Sequence, residues 1–458
     1  MADTQIAKKN KVIDLTQGNP FKLIISYSIP IFLGNIFQQL YSMSDTLIVG
    51  RLLGPNALAA VGNTGAMSFL VLGFLSGMTS GFSVITAQRF GAQDGEGLKK
   101  SVAMNIILNS FSALVITLLA CAVAVPILKL TNTPEEIMEL SSTYILIIFG
   151  GTAGLVLYNA CSCILRAVGD SRTPLYFLIF SSFLNIGLDI LFIAPFKMGV
   201  AGAAWATIIA QGLSGLLSLI WIIVRYPSLR VSKHHFHIEW NFLWKHLSLG
   251  MNMGFQFSIT AIGVVILQGA LNLFGPLKIA AYTAAQKVEQ VVTTAAGVLG
   301  VTMTNYSGQN LGAGKLDRVK SGVTSAVLLS LIVGAIACLI VWFLSDPLTS
   351  IFLDKGNISA AEIEEILDAS RTYLHICGLF FPTLCVLFIY RNSLQGIGKG
   401  FWPLMGGVFE LVARTVAAYT LPSLMGFAGI CSAGPLAWLC ATIPLAISYY
   451  ITMKHFKI

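Results

Sequence analysis

Two carboxylates lie inside stretches of sequence that are otherwise apolar. Asp45 lies within SYSIPIFLGNIFQQLYSMSDTLIVGRLLG, and Asp189 lies within LNIGLDILFIAP. A carboxylate at the centre of a membrane helix costs about 2.5–3.5 kcal/mol on an insertion scale, so such acids usually serve a function. Two carboxylates in a poorly hydrated site cannot both stay ionised cheaply. The pair therefore predicts a site that holds one proton or one Na⁺.

An amide side chain accompanies the second acid. Asn185 precedes Asp189 by four residues, so both side chains lie on one face of a helix. An amide oxygen is a suitable ligand for a hard cation such as Na⁺. The alternative interpretation is a buried, hydrogen-bonded acid without a functional role.

The composition indicates the environment of these residues. The chain has 458 residues, of which 55% are hydrophobic and 10% charged, and its mean hydropathy is +0.79. Soluble domains contain about 25% charged residues. The formal net charge of +8 is scattered over short connectors, which argues against nucleic-acid binding. All eight cysteines fall in apolar segments and none forms a CxxC, so we expect neither a disulfide nor a metal site at them.

Apolar segments recur along the chain. Each is long enough to cross a bilayer as a helix, since about 20 residues are needed. We therefore predict an all-α polytopic membrane protein. Its twelve predicted spans lie near residues 22–50, 57–85, 101–125, 137–165, 174–194, 199–225, 243–272, 279–304, 321–344, 366–393, 403–422 and 432–453.

The connectors alternate in charge. Basic connectors such as Arg89–Lys100 and Arg225–Lys233 are separated by connectors with acidic clusters, for example Glu135-Glu136. The positive-inside rule places the basic set, and with it both termini, in the cytoplasm.

The two halves of the sequence repeat. Gly54-Pro55 matches Gly275-Pro276, and Gln88 matches Gln309, at one offset of 221 residues. Further matches follow in order: Tyr144 with Tyr373, Pro174 with Pro403, and Gly199 with Gly426. Because each half has an even number of spans, the halves form a parallel repeat of two pseudo-symmetric six-helix bundles.

The repeat defines the predicted domains and isolates the acids. We predict a cytoplasmic N-terminal segment (1–20), an N-lobe (21–225), a cytoplasmic linker (226–241), a C-lobe (242–453) and a cytoplasmic tail (454–458). The residues that correspond to Asp45 and Asp189 in the second half are Ile266 and Ala418. A structural role would be expected in both halves, whereas a coupling site is needed only once.

Other charged and polar residues receive structural interpretations. The spacing of the linker histidines, His234, His235 and His237, does not suit one face of a helix, and no cluster of acids or cysteines joins them, so we expect a solvated linker. Glu410 and Arg414 are four residues apart, which predicts an ion pair between them. Glu289 is a candidate substrate contact in the C-lobe.

Several segments together resemble the multidrug and toxic compound extrusion (MATE) family. They are IPIFLGNIFQQLYSMSDTLIVGRLLGPNALAAVG, QRFGAQDGEGLKK, ILRAVGDSRTP, NIGLDILFIAP, GVAGAAWAT and SGQNLGAGKLDRVK. The resemblance implies a secondary active antiporter. It would export amphipathic, often cationic compounds in exchange for inward H⁺ or Na⁺ by alternating access.

The resemblance also implies site residues. Asp45, Asn185 and Asp189 match the first-lobe cation site of the bacterial type, and Tyr144, Asn159 and Thr207 fall where its polar neighbours are expected. Residues 241–277 contain no acid, so the glutamate that some branches carry in the first helix of the second lobe is missing.

The remaining expectations concern ligands and location. We expect no cofactor, no metal other than a candidate Na⁺ at the aspartates, small organic substrates, a lipid bilayer, a monomer, and the plasma membrane of a bacterium. Alternative functions are a lipid-linked precursor or polysaccharide flippase and, more remotely, a passive channel or an intramembrane enzyme. The sequence shows no HExxH motif, so we do not expect an enzyme.

Overall fold

The computed structural model describes residues 12–353 and 359–455, and these residues contain helices and no strand. The ends of the predicted N-terminal segment and tail, residues 1–11 and 456–458, lie outside the described residues. The helices of the first half are α1 (Pro20–Leu53), α2 (Pro55–Asn63), α3 (Gly65–Gly91), α4 (Gly95–Leu130), α5 (Glu135–Gly150), α6 (Thr152–Ala167), α7 (Arg172–Ile193) and α8 (Gly199–Arg225).

The second half is built in the same way. Short 3₁₀ helices, Pro227–Leu229 and Lys233–Phe236, form the linker, and a third, Asn272–Phe274, follows α9. The remaining α-helices are α9 (Trp240–Leu271), α10 (Pro276–Gly312), α11 (Leu316–Ser350), α12 (Ala360–Gly396), α13 (Phe401–Thr420), α14 (Pro422–Met425), α15 (Phe427–Cys431) and α16 (Ala433–His455).

Length and composition identify the membrane spans. Among the described residues, nine helices are apolar enough to cross a bilayer, and the pair α5–α6, bent by 46°, makes ten. Helices α10 and α13 are long enough as well, but they carry Lys287, Glu289, Glu410 and Arg414, which lower their mean hydropathy. Each of the twelve predicted spans corresponds to a helix or a broken helix, so the predicted fold class is confirmed.

The contacts divide the chain into two compact units. The first unit comprises Met1–Gly18, Ile25–Ser258 and Gly308–Lys315, and the second comprises Asn19–Ile24, Ile259–Ser307 and Leu316–Ile458. In the first unit, α8 packs against α5, α6 and α7, and α3 packs against α4 and α6. In the second unit, α12 packs against α11 and α16, and α16 also packs against α13. The predicted lobe boundaries stay a prediction.

The repeat is visible in the backbone. Gly54 and Gly275 are repeat-related, and both adopt a positive φ, 85° and 82°. Gly199 and Gly426 are a second such pair, at 60° and 58°. Only glycine adopts this left-handed conformation without steric cost, so the repeat preserves the residue that each turn requires.

A reciprocal helix contact lies within the first unit, where the end of α3 meets the end of α10. A Cβ atom on Gly91 would collide with the carbonyl oxygen of Gln309, and one on Gly312 would collide with the carbonyl oxygen of Gln88. The side chain of Gln309 also donates to the carbonyl of Ala167 at 2.8 Å and accepts from an N-terminal backbone amide. Small residues let helix backbones approach this closely.

We therefore expect Gly91→Ala and Gly312→Ala to destabilise the protein, by about 1–3 kcal/mol each as for other overpacked sites. Thermal unfolding of the detergent-solubilised protein measures the effect. Gly297→Ala is the matched control, because no atom lies within 4 Å of its added Cβ. Equal melting temperatures for all three variants would contradict the close approach.

Candidate functional site

Four helices of the first unit bring polar side chains together. Helix α1 contributes Asp45, α7 contributes Asn185 and Asp189, α8 contributes Thr207, and α5 contributes Tyr144. Asn185 and Asp189 are fully buried and Tyr144 is 9% exposed, whereas Asp45 is only partly buried. The structure therefore places five of the residues predicted for this site in one region.

The two carboxyl groups contact each other. The side chains of Asp45 and Asp189 lie within hydrogen-bonding distance. The Oδ1 atom of each carboxyl group is buried without a hydrogen-bond partner among the described residues. Since a carboxylate only accepts, a hydrogen bond between two carboxyl groups requires a proton on one of them.

The amide of Asn185 links this pair to α8. In the orientation that satisfies both of its ends, its nitrogen donates to Oδ2 of Asp189 at 2.8 Å, and its oxygen accepts from the backbone N–H of Thr207 at 3.3 Å. The sequence analysis considers the amide oxygen of Asn185 as a ligand for a bound cation, which stays a prediction. In this structure the nitrogen faces Asp189, because a carboxylate needs a donor. The amide consequently holds Asp189 in place, and a rotation would present its oxygen to a cation.

A cavity opens beside Asp45. Its volume is about 190 Å³, which corresponds to several water molecules. Its polar lining consists of Tyr41, Ser42, Asp45, Ser68, Tyr144, Thr207 and Gln211. Asp45 therefore lies at the wall of a space that a small ligand can enter, with Asp189 buried behind it.

The sequence analysis missed four polar lining residues, Tyr41, Ser42, Ser68 and Gln211, and two of them follow a pattern. The Tyr41 hydroxyl donates to Oγ1 of Thr207 at 3.3 Å, and Gln211 lies one helical turn after Thr207. Both could have been found, because polar residues four positions apart recur here. Tyr41 with Asp45, Asn185 with Asp189, and Thr207 with Gln211 each place two polar groups on one helix face.

Asn159 lies apart from this group. Its amide donates to the hydroxyl of Ser76 on α3 at 3.3 Å, and it does not line the cavity. The bend between α5 and α6, at Gly151, separates it from Tyr144. Asn159 thus contributes to helix packing in this structure.

The second unit contains a different polar cluster. The hydroxyl of Tyr373 hydrogen-bonds to Oε2 of Glu289, and the ring of Tyr282 packs edge-on against Tyr373 at 4.7 Å. Tyr373 is the repeat counterpart of Tyr144, and Glu289 that of Ser68, which lines the cavity of the first unit. The acid of the second unit thus lies on α10, the helix that corresponds to α3, whereas the acids of the first unit lie on α1 and α7.

The predicted ion pair between Glu410 and Arg414 is wrong. Glu410 forms a buried ion pair with Arg391 of α12, and both side chains are less than 10% exposed. The charge of Arg414 acts on Glu289 instead. Arg414 follows Glu410 by four residues on α13, but the guanidinium that pairs with Glu410 comes from Arg391 on the neighbouring helix α12.

The fold and the buried acids define a polytopic membrane protein with a polar site inside its first unit. A family model described as MatE matches residues 30–191 and 249–420. The chain therefore belongs to the MatE family.

Individual proteins are similar over nearly the whole length. The chain is 29% identical over 418 residues to the probable multidrug resistance protein YpnP of Bacillus subtilis, with 90% of each chain covered. It is 27% identical over 419 residues to the probable multidrug resistance protein YoeA of the same organism, covering 87% and 88%. A solved MOP superfamily transporter from Pyrococcus furiosus has a TM-score of 0.89 at 22% identity, covering 96% and 97%, which supports the fold.

The hydroxyl of Thr207 accepts a hydrogen bond from Tyr41, whereas Asn185 accepts from the backbone N–H of Thr207, which valine keeps. We therefore expect Thr207→Val to remove one hydrogen bond beside the acids and to weaken cation binding there. One hydrogen bond contributes about 0.5–1.5 kcal/mol, which corresponds to a several-fold lower apparent affinity. The dependence of transport on pH or Na⁺ concentration measures it. Thr46→Val is the control, because Thr46 is exposed and bonds only within its own helix, to the carbonyl of Ser42. An unchanged affinity in both variants would contradict the role of Thr207.

Proposed function

We propose that the protein is a secondary active antiporter that exports amphipathic, cationic organic compounds in exchange for inward H⁺ or Na⁺. The contact between Asp45 and Asp189 at the wall of a cavity carries this proposal. A cation-coupled exporter needs a titratable or cation-binding group whose affinity for the cation changes when the substrate binds. The pair offers such a group within the membrane.

The relatives support the type of substrate. YpnP and YoeA are both named probable multidrug resistance proteins. The lining of the cavity combines a tyrosine face and aliphatic residues such as Leu72 and Ile148 with the carboxyl group of Asp45. Such a surface suits organic cations, because rings and aliphatic groups contact the apolar part while the acid attracts the charge.

The coupling follows from the cost of charge at membrane depth. When both acids are free of protons and metal ions, their repulsion favours a cationic substrate nearby. A proton or Na⁺ that enters from outside lowers the net charge of the pair from −2 to −1 and so weakens this attraction. Because the substrate and the coupling ion compete for the same two carboxylates, uptake of one favours release of the other.

The exchange requires two access states. Parallel repeats of this kind alternate by movement of one bundle against the other. Asp45 lies on α1 whereas Asp189 lies on α7, so a change of charge between them alters the packing of two helices. We place both termini in the cytoplasm, from the distribution of basic connectors, and we expect a monomer in the cell membrane.

Asp45→Asn tests the proposal. Asparagine keeps the size of the side chain but cannot ionise, so we expect gradient-driven transport of a fluorescent organic cation in proteoliposomes to fall at least tenfold. A pH gradient and a Na⁺ gradient are imposed separately, which also identifies the coupling ion. Elution as a monodisperse protein and an unchanged melting temperature show that the variant is folded.

Asp317→Asn is the matched control, because Asp317 is a fully exposed acid and should be dispensable. Uphill transport by Asp45→Asn at the normal rate would overturn the proposal. Movement of the dye without any gradient dependence in the unsubstituted protein would point to a passive channel.

A further inference from the structure

The second unit contains two buried arginines, and only one of them is paired with an acid. Arg391 on α12 forms its ion pair with Glu410 on α13. Arg414 lies one helical turn after Glu410 and is only 8% exposed. No described residue forms a hydrogen bond or an ion pair with its guanidinium, and its Nε atom is enclosed without a partner. The charge of Arg414 is therefore buried and unpaired in the part of the chain that the structure describes.

Such a group is costly within a membrane. Arginine keeps its charge in proteins and offers five N–H donors in a fixed plane. Charged side chains inside membrane helices nearly always pair with an acid or with backbone carbonyls, and exceptions mark the path of a ligand. The unfilled donors of Arg414 thus indicate a binding function, since packing alone would favour an apolar residue at this position.

The nearest acid, Glu289 on α10, does not fill these donors. The charge of Arg414 acts on Glu289, but the two side chains are too far apart to form an ion pair. Oε2 of Glu289 accepts from the hydroxyl of Tyr373, whose ring is held edge-on by Tyr282 at 4.7 Å. Glu289 is therefore held by Tyr373, and its Oε1 atom accepts no hydrogen bond from the described residues.

A glycine leaves room beside the guanidinium. Gly263 of α9 faces Arg414, and a Cβ atom added there would lie 3.0 Å from Nη1. Of the three guanidinium nitrogens, only Nε is fully enclosed, so the terminal nitrogens keep an accessible edge. Helices α9, α10, α12 and α13 of the second unit thus surround one positive and one negative group, each with free hydrogen-bonding atoms.

The two charges define the kind of ligand. A carboxylate matches the fork of an arginine, because it accepts two parallel N–H bonds. A ligand with only negative charge, such as a phosphate, is repelled by Glu289, and one with only positive charge is repelled by Arg414. A zwitterionic compound avoids both penalties, because its carboxylate binds Arg414 while its cationic group is attracted by Glu289.

We propose that Arg414 and Glu289 form a binding subsite for zwitterionic organic compounds that carry a carboxylate. The role of this subsite in export rests on the proposed function, which it extends from cationic to zwitterionic substrates. Binding itself requires no ion gradient. The subsite belongs to the second unit and uses neither Asp45 nor Asp189.

The test compares two dyes that differ in one group. A zwitterionic rhodamine with a free carboxylate and its methyl ester, which is purely cationic, are titrated by fluorescence anisotropy against the full-length protein in lipid nanodiscs. We expect Arg414→Gln to weaken binding of the zwitterionic dye at least tenfold and not to weaken binding of the ester. Arg414→Lys keeps the charge without the planar fork, so its loss of affinity should be smaller.

Thermal unfolding separates binding from a structural role. Because Arg414 has no hydrogen-bonded partner among the described residues, Arg414→Gln should not lower the melting temperature. Arg391→Gln should lower it, because this change leaves Glu410 buried without its partner. Arg51→Gln is the matched control for dye binding, because it removes the same charge from an exposed position and should change neither affinity.

Three results would overturn the proposal. The first is that the unsubstituted protein shows no saturable binding of the zwitterionic dye. The second is that Arg414→Gln leaves the ratio of the two affinities unchanged, and the third is that it lowers the melting temperature as much as Arg391→Gln does. Failure of the proposed antiport is a separate result, because it would appear as uphill transport by Asp45→Asn, whereas these affinities are measured without a gradient.

Discussion

The contact between two carboxyl groups inside the first unit is the constraint on which the proposed mechanism depends. Asp189 is fully buried, Asp45 is partly buried, and each has an oxygen without a protein partner. Placing such groups at membrane depth costs several kcal/mol unless a cation neutralises them. Among the described residues, Asn185 donates its side-chain amide to Asp189. The pair is thus incompletely satisfied by the part of the chain that the structure describes.

The internal repeat explains why this constraint is confined to one unit. The turns at Gly54 and Gly275 have the same backbone conformation, and Tyr144 and Tyr373 occupy equivalent positions. The acids differ, since Glu289 corresponds to Ser68 and not to an aspartate of the first unit. Duplication thus preserved the scaffold, while the ionisable groups diverged. Two units of one fold consequently carry two different polar sites.

Much of the fold could be predicted from the sequence, because membrane helices are recognised by the length of each apolar stretch. The acids could be found as well, since charge is rare in such stretches. Their neighbours were harder to predict. Tyr41 needed the observation that polar residues recur four positions apart, and Asn159 lies outside the cavity lining because its amide donates to Ser76 of α3.

Contacts between distant segments could not be predicted from spacing along one helix. Glu410 was paired with Arg414, whereas its partner is Arg391 on another helix. No cluster of acids joins the linker histidines in the sequence, but folding brings the distant Glu96 to within 3.1 Å of His235. In both cases the partner is set by tertiary packing, which a single sequence does not reveal without a template.

The central claim is that substrate and coupling ion compete for the charge of Asp45 and Asp189. The most direct test is to add a cationic substrate to the purified protein in weakly buffered solution and to measure the H⁺ or Na⁺ released. The account predicts release of close to one cation per bound substrate, with none from a variant in which both aspartates are replaced by asparagine. Substrate binding of normal affinity without any release of H⁺ or Na⁺ would contradict it.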